Sequence, residues 1–307
     1  MNAPTGRTSQ ARPAGPLPPR RRTSEACSDR QLVRDAASAL ARPVATSFKH
    51  VSPAGAAASG HIDAVMEETW AVESRVLSPP ARAYLRARDC DPKSSFGDFA
   101  AVSEPVDLPL AHVLATVISD GVIAPGFEPG IMDILTKKKG GSYVVIEADP
   151  SFQPPEWERR EVFGIALGQQ TAVRAMTKEI IRASTSTVLP ESAVEDLVLA
   201  SITARYTQSN TVTYARSGMV LGVGAGQQSR VDCTKLAGAK VDAWWLRRHE
   251  EVQSLRFRSS TRRQDRINWQ IRYIAHPGGS TRTGEVEEAC YEHKIALVNT
   301  GIRQFHH

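Results

Sequence analysis

The chain has only four cysteines in 307 residues, Cys27, Cys90, Cys233 and Cys290, and no Cys-x-x-Cys pair. That spacing fits a reducing compartment and buried or incidental thiols, and neither a disulfide framework nor a zinc site is expected. No apolar run approaches the roughly 20 residues of a membrane span. Acidic residues are absent from residues 1–24, where Arg7, Arg12, Arg20, Arg21 and Arg22 equal the entire net charge of +5. The remainder is therefore neutral overall, and a nucleic-acid partner, which needs a basic folded face, is not expected. This Pro-rich segment lacks the apolar core of a secretory signal, and its prolines oppose an amphipathic transit helix. Residues 1–28 read as a disordered arm. No Gly-Lys-Ser/Thr ends a glycine loop, no G-x-G-x-x-G occurs, and no P-C-x-x-C is present, so neither a P-loop, a dinucleotide fingerprint nor a deaminase zinc centre is expected.

What is present, 41% hydrophobic and 23% charged residues, is a globular composition. Asp29 is expected to cap a short helix through Ala41, which Pro43 stops. Val44 to Phe48 reads as a strand, and Lys49 to Gly55 as a turn. Residues 61–90 read as helix broken at Pro79-Pro80, and 109–119 as helix. Gly121 to Pro125 reads as strand, Pro129 to Lys139 as helix and Tyr143 to Ile146 as buried strand. Pro190 to Ala204 is a predicted helix, and Thr211–Ala215 with Met219–Val223 a hairpin around Ser217-Gly218. A helix then runs to about Arg248, another spans Glu285 to His293, and a strand covers Ile295 to Asn299. This alternation predicts an α/β fold, in two lobes meeting near residues 150–190.

Several constellations can carry chemistry. Lys49-His50 pairs a side chain that titrates near neutrality with an ammonium able to stabilise an oxyanion or bind phosphate, although such a dipeptide also occurs as plain surface. The run Gly222 to Arg230 is either an anion-approaching backbone or a tight strand-to-helix turn. Tyr206 to Asn210 either holds a carbonyl or carboxamide or caps a helix. Trp244-Trp245 reads as core packing and Lys137 to Lys139 as a solvated helix end.

Taken in order, Ser47-Phe48-Lys49-His50-Val51-Ser52-Pro53-Ala54-Gly55, Ser94-Ser95-Phe96-Gly97-Asp98-Phe99 and Ser119-Asp120-Gly121 with Ile123-Ala124-Pro125-Gly126 share one resemblance. Tyr206-Thr207-Gln208-Ser209-Asn210, Gly224-Ala225-Gly226-Gln227-Gln228-Ser229-Arg230 and Arg303-Gln304-Phe305-His306-His307 extend it. From about Gln31 to His307 the chain resembles AICAR transformylase, the formyltransferase domain of the bifunctional purine biosynthesis enzymes, and the eukaryotic form most closely. The resemblance implies two cytidine-deaminase-like α/β/α lobes with mixed sheets, at 29–170 and 171–307, the second shortened. It implies formyl transfer from 10-formyltetrahydrofolate to the 5-amino group of AICAR by a cytosolic homodimer with active sites at the subunit interface and no metal. His50 matches the family's general base and Lys49 the oxyanion stabiliser, with Asn210 as a third catalytic group. Phe96, Gly97, Asp120, Arg303 and Phe305 match nucleotide contacts, and Gln228, Arg230, Ser280 and Thr281 folate contacts.

Three departures stand out. The family's Arg-Tyr-Gly-x-Asn-Pro-His-Gln segment is missing upstream of Gln31. The preceding cyclohydrolase domain is absent, so ring closure to IMP is not expected of this chain. Arg263 to Asn268 runs almost directly into Tyr273-Ile274-Ala275, where the family carries an additional stretch. Lys93 also replaces a residue that is usually apolar. A shortened, non-catalytic paralogue that binds nucleotide or pairs with a full-length partner is the alternative expectation.

Overall fold

The computed structural model describes residues 12–13, 20–171, 174–249 and 271–303. An eight-stranded mixed sheet runs through its centre. Its strands are β1 (Arg12–Pro13), β2 (Val44–Lys49), β3 (Ser52–Ala58), β4 (Asp98–Val102), β5 (Ser119–Ala124), β6 (Val144–Glu147), β9 (Val212–Arg216) and β10 (Met219–Gly224). They lie in the order β1-β6-β5-β4-β2-β3-β10-β9. β4, β5 and β6 are mutually parallel, and the other pairings are antiparallel.

Helices cover both faces. On one lie α2 (Ala64–Trp70), α3 (Pro79–Cys90), α4 (Leu108–Thr116), α5 (Ile131–Leu135) and α8 (Arg230–Leu246). On the other lie α1 (Arg20–Leu40), α6 (Lys178–Ala183) and α7 (Glu191–Arg205). Alternate strand residues serve the two cores. Ala45, Ala100, Val102 and Val122 face the first, while Val44, Phe48, Phe99 and Ile123 face the second. Every residue of β4 is buried, as a strand sandwiched between helix layers requires. Beyond the sheet, β7 (Trp157–Val162) and β8 (Ile165–Gln170) form an exposed hairpin. β11 (Tyr273–His276) pairs in parallel with β12 (Ala296–Asn299) across α9 (Thr283–Glu292).

The α/β class and mixed sheet match the sequence reading. The two halves expected to meet near residues 150–190 share one sheet, because β10 from the second half pairs with β3 from the first. α1 begins at Arg20, not at Asp29, so part of the expected arm is helical. Asp29 is a fully buried helix residue lying 3.2 Å from Thr46 Oγ1. The helical stretch expected over 61–90 is divided as the sequence reading has it, α2 ending at Trp70, and the second helix, α3, starts with Pro79 and Pro80. They occupy the first turn of α3, where a missing N–H costs nothing, and Ser78 caps them by accepting from the Ala81 amide.

Two glycines in β10 set the spacing of the second half. A Cβ on Gly222 would lie 2.9 Å from Val241 Cγ2, and one on Gly224 would meet the carbonyl of Cys233. They stand two residues apart on one strand face, so α8 lies directly against the backbone of β10. Most of the Gly222–Gly226 run therefore serves strand–helix packing; only Gly226, with φ +65, makes the turn. At the far end of α8, Trp244 Nε1 and Arg248 donate to Asp89 Oδ2, and Arg247 donates to Oδ1, tying α8 to α3. Trp244 thus packs on the core with its polar edge satisfied, while Trp245 stacks on His249 with ring centroids 3.6 Å apart. Phe305 and the terminal histidines, and the junction immediately before Ile271, lie outside the described residues.

Candidate active site

β2 ends at Lys49, whose pairing with Ser52 closes a two-residue turn of His50 and Val51. The predicted turn from Lys49 to Gly55 is thus only two residues, and Ser52 to Ala58 is strand. His50 has φ +61, a left-handed conformation that glycine usually supplies in such turns. A non-glycine residue held there costs energy and marks a candidate functional position. The turn leaves the imidazole exposed.

Lys49 is half-buried, and its ammonium donates to the Phe96 carbonyl oxygen and lies beside Gly97. Phe96 and Gly97 precede β4, which runs antiparallel to β2, so the end of one strand meets the start of the other. Asp120 stands near the start of the next strand, β5, and its carboxylate pairs with Lys139. Lys49, His50, Phe96, Gly97 and Asp120 therefore share one edge of the sheet. Open α/β sheets usually bind ligands beyond the carboxyl ends of their parallel strands. Here the edge carries the amino ends of β4 and β5 and the carboxyl end of the antiparallel β2. Phe96 is 58% exposed despite its ring, leaving an apolar face available to a planar ligand.

Beneath this edge lies a buried polar cluster. Arg88 donates to Asp98 at 2.6 Å and to the Ile118 carbonyl at 2.8 Å. Ser47 Oγ lies 2.7 Å from both Asp98 Oδ2 and Ser95 Oγ, and the Tyr84 hydroxyl 3.1 Å from Asp98 Oδ2. Burial pushes the Asp98 carboxyl upward, opposed by the Arg88 charge and by the hydrogen bond from Ser47. The expected solvated lysine run is only partly so. Lys138 is half-buried, donates to the carbonyls of Leu114 and Val117 and to Ser119 Oγ, and lies over the Tyr143 ring. Burial lowers its pKa to about 8.

Lys49 also lines an open cleft of about 320 Å³ with Ser52, Ser94, Ala225, Leu236 and Lys240. The cleft joins the His50 turn and the loop after α3 to the glycine-rich end of β10 and to α8. Next to it, the Gln208 carbonyl accepts from the Gly226 amide, and Asn210 Nδ2 donates to the carbonyls of Gln227 and Gln228. Both amide protons of Asn210 are thereby engaged, so its remaining offer to a ligand is the Oδ1 acceptor. That acceptor suits an N–H donor such as a carboxamide or an amine. Gln228 and Arg230 are exposed at the start of α8, where Ser229 caps the helix. Ser280 and Thr281 follow β11, and Arg303 follows β12 and donates to the Gly278 carbonyl at 2.7 Å. Among the described hydrogen bonds and ion pairs, none joins this group to Lys49. Sequence reasoning missed Arg88 and Lys240, which lie mid-helix with no motif around them. Ser47, Ser52, Ser94, Ser95 and Asp98 stand in the sequence only as neighbours within the motifs. Among the described residues no group of His, Cys, Asp and Glu side chains forms a metal centre, and no helix is long and apolar enough to cross a membrane. Lys93 is exposed.

Comparison with known proteins gives concordant results. Residues 25–240 match the model of the AICARFT/IMPCHase bienzyme family. The bifunctional purine biosynthesis protein PurH of Chlorobium phaeobacteroides is 30% identical over 268 residues, covering 86% of this chain and 47% of the relative. Its counterpart in Persephonella marina is 32% identical over 234 residues, 74% of this chain and 44% of the relative. That of Ruegeria sp. is 28% identical over 274 residues, 86% and 48% respectively. The chain thus spans about half the length of the curated relatives it matches. The family model alone covers more than two thirds of these 307 residues, and the chain belongs to the AICARFT/IMPCHase bienzyme family.

Proposed function

We propose that this chain transfers a formyl group from 10-formyltetrahydrofolate to the 5-amino group of AICAR, at the sheet edge carrying Lys49 and His50. The observation that supports this most is the pairing of an exposed imidazole in a costly left-handed turn with a neighbouring ammonium that lines the cleft. An aromatic amine is a poor nucleophile, so its attack on the formyl carbon benefits from a base that removes the developing N–H proton. His50 takes that proton. Lys49 stabilises the negative charge that forms on the formyl oxygen. Collapse of the tetrahedral species breaks the bond from carbon to folate N10, and the proton returns to that nitrogen.

In this reading Phe96, Gly97, Asp120 and Arg303, with Phe305, hold the nucleotide, and Asn210 Oδ1 accepts from the carboxamide. Gln228, Arg230, Ser280 and Thr281 hold the folate, whose carboxylates suit a guanidinium. A homodimer that completes each site at an interface, as the family resemblance implies, is part of the proposal. The compartment proposed is the cytosol.

A second reading, a non-catalytic relative that binds nucleotide or pairs with a longer partner, draws on the internal engagement of Asp120 by Lys139 and of both Asn210 amide protons. Tetrahydrofolate release in the presence of AICAR and 10-formyltetrahydrofolate separates the two. Turnover by the wild-type chain that falls at least about 100-fold in His50→Ala supports formyl transfer. A folded wild-type chain that binds AICAR without turnover supports the second reading.

A further inference from the structure

We propose that the buried Arg88–Asp98 pair is the positioning element of this site, locking three separate backbone segments into one arrangement. One guanidinium nitrogen donates to Asp98 at 2.6 Å, and the other to the Ile118 carbonyl at 2.8 Å. The same Ile118 carbonyl accepts the Gly97 amide at 2.9 Å, fixing the loop that presents Phe96 to Lys49. Through its second oxygen Asp98 holds Ser47 at 2.7 Å, two residues before Lys49 on β2. Ile118, in turn, lies two residues before Asp120. Each of the three segments thus has a fixed point within a few residues of its functional side chain, and all three points meet at one ion pair.

The pair is deeply buried, its side chains 4% and 0% exposed. Buried ion pairs often contribute little net stability, and apolar residues of similar size frequently replace them without loss. What a guanidinium adds is direction, since its planar fork fixes two acceptors at a set angle, which a lysine ammonium does not. Reacting groups must be held to within roughly 0.5 Å, so rigid support beneath the site carries more weight for turnover than for folding.

The activity part of the test rests on the formyl-transfer reading; the exchange part does not. Arg88→Lys and the apolar double variant Arg88→Met/Asp98→Leu are compared with Tyr84→Phe, which alters the same cluster without breaking either strand link. Formyl transfer is measured well below each variant's unfolding midpoint, with amide hydrogen exchange at Gly97 in parallel. The expected result is a fall in kcat of at least about tenfold in Arg88→Lys and in the double variant, a KM for AICAR that rises, and near wild-type kcat in Tyr84→Phe. Exchange at Gly97 accelerates at least tenfold in Arg88→Lys relative to amides in β10. Wild-type kcat in a folded Arg88→Lys would overturn the proposal. So would unchanged Gly97 exchange, which remains measurable if the wild-type chain proves not to transfer formyl groups. Should the double variant fail to fold, Arg88→Lys alone decides.

Discussion

Replacing Gly224 by alanine tests whether the glycine-rich run is packing or ligand loop. The new Cβ would press on the Cys233 carbonyl and stand 2.8 Å from its carbon and 3.0 Å from the Cys233 Cα. These are backbone atoms of α8, so no side chain can swing away, and the helix must move off the strand. Overpacking of this kind costs about 1–3 kcal/mol, while the lost glycine freedom in the unfolded chain returns roughly 0.4–1 kcal/mol. The expected net is a loss of about 1–2 kcal/mol. Gly238, in the same helix, has open space where a Cβ would stand, with nothing within 4 Å, so Gly238→Ala meets no obstacle. There the helix preference of alanine gives a gain of up to about 1 kcal/mol. Urea unfolding at constant m reads both: one midpoint falls and the other rises. A neutral Gly224→Ala, or two shifts of the same sign, would refute the packing argument.

Other consequences follow from the site. His50→Gly relieves the left-handed turn and leaves stability unchanged or up to about 1 kcal/mol higher, yet abolishes formyl transfer; thermal unfolding beside the transfer assay checks this. Lys138 has a pKa lowered by burial to about 8 from an ordinary 10.5. Between those values the unfolded chain binds more protons than the native one, so native stability gains with pH across pH 8–10.5. Lys138→Met removes that gain, and urea midpoints of the two proteins at about pH 7.5 and about pH 9.5 should diverge; parallel midpoints contradict it. Asn210→Ala releases two loop hydrogen bonds, each worth about 1 kcal/mol, and should raise the KM for AICAR more than it lowers kcat.

Legibility of the fold followed the chemistry of each segment. Val44 to Phe48 and the hairpin around Ser217-Gly218 were readable because their patterns satisfy strand and turn requirements locally. β3 was not, since Ser52-Pro53-Ala54-Gly55-Ala56-Ala57-Ala58 lacks the branched side chains that favour strands. Its smallness is imposed by its neighbour: a Cβ on Gly55 would lie 2.6 Å from Cys90 Cβ on α3. The β7–β8 hairpin is not legible in the sequence because nearly all its residues are exposed, leaving no alternating buried face to read. At the site, Lys49, Phe96 and Gly97 stood out as motif residues and are brought together. Arg88 lies in Arg86-Ala87-Arg88-Asp89, which reads as a polar helix face until the fold buries it.

The central claim is that a formyl group passes to the AICAR amine at Lys49 and His50. It is tested most directly by supplying 10-formyltetrahydrofolate labelled with 13C in the formyl carbon and following that carbon by NMR. The account predicts that the label leaves folate N10 and appears on the 5-amino nitrogen with wild-type protein, and that it remains on folate with His50→Ala. A label that stays on folate with the folded wild-type chain, or emerges as free formate, would contradict it.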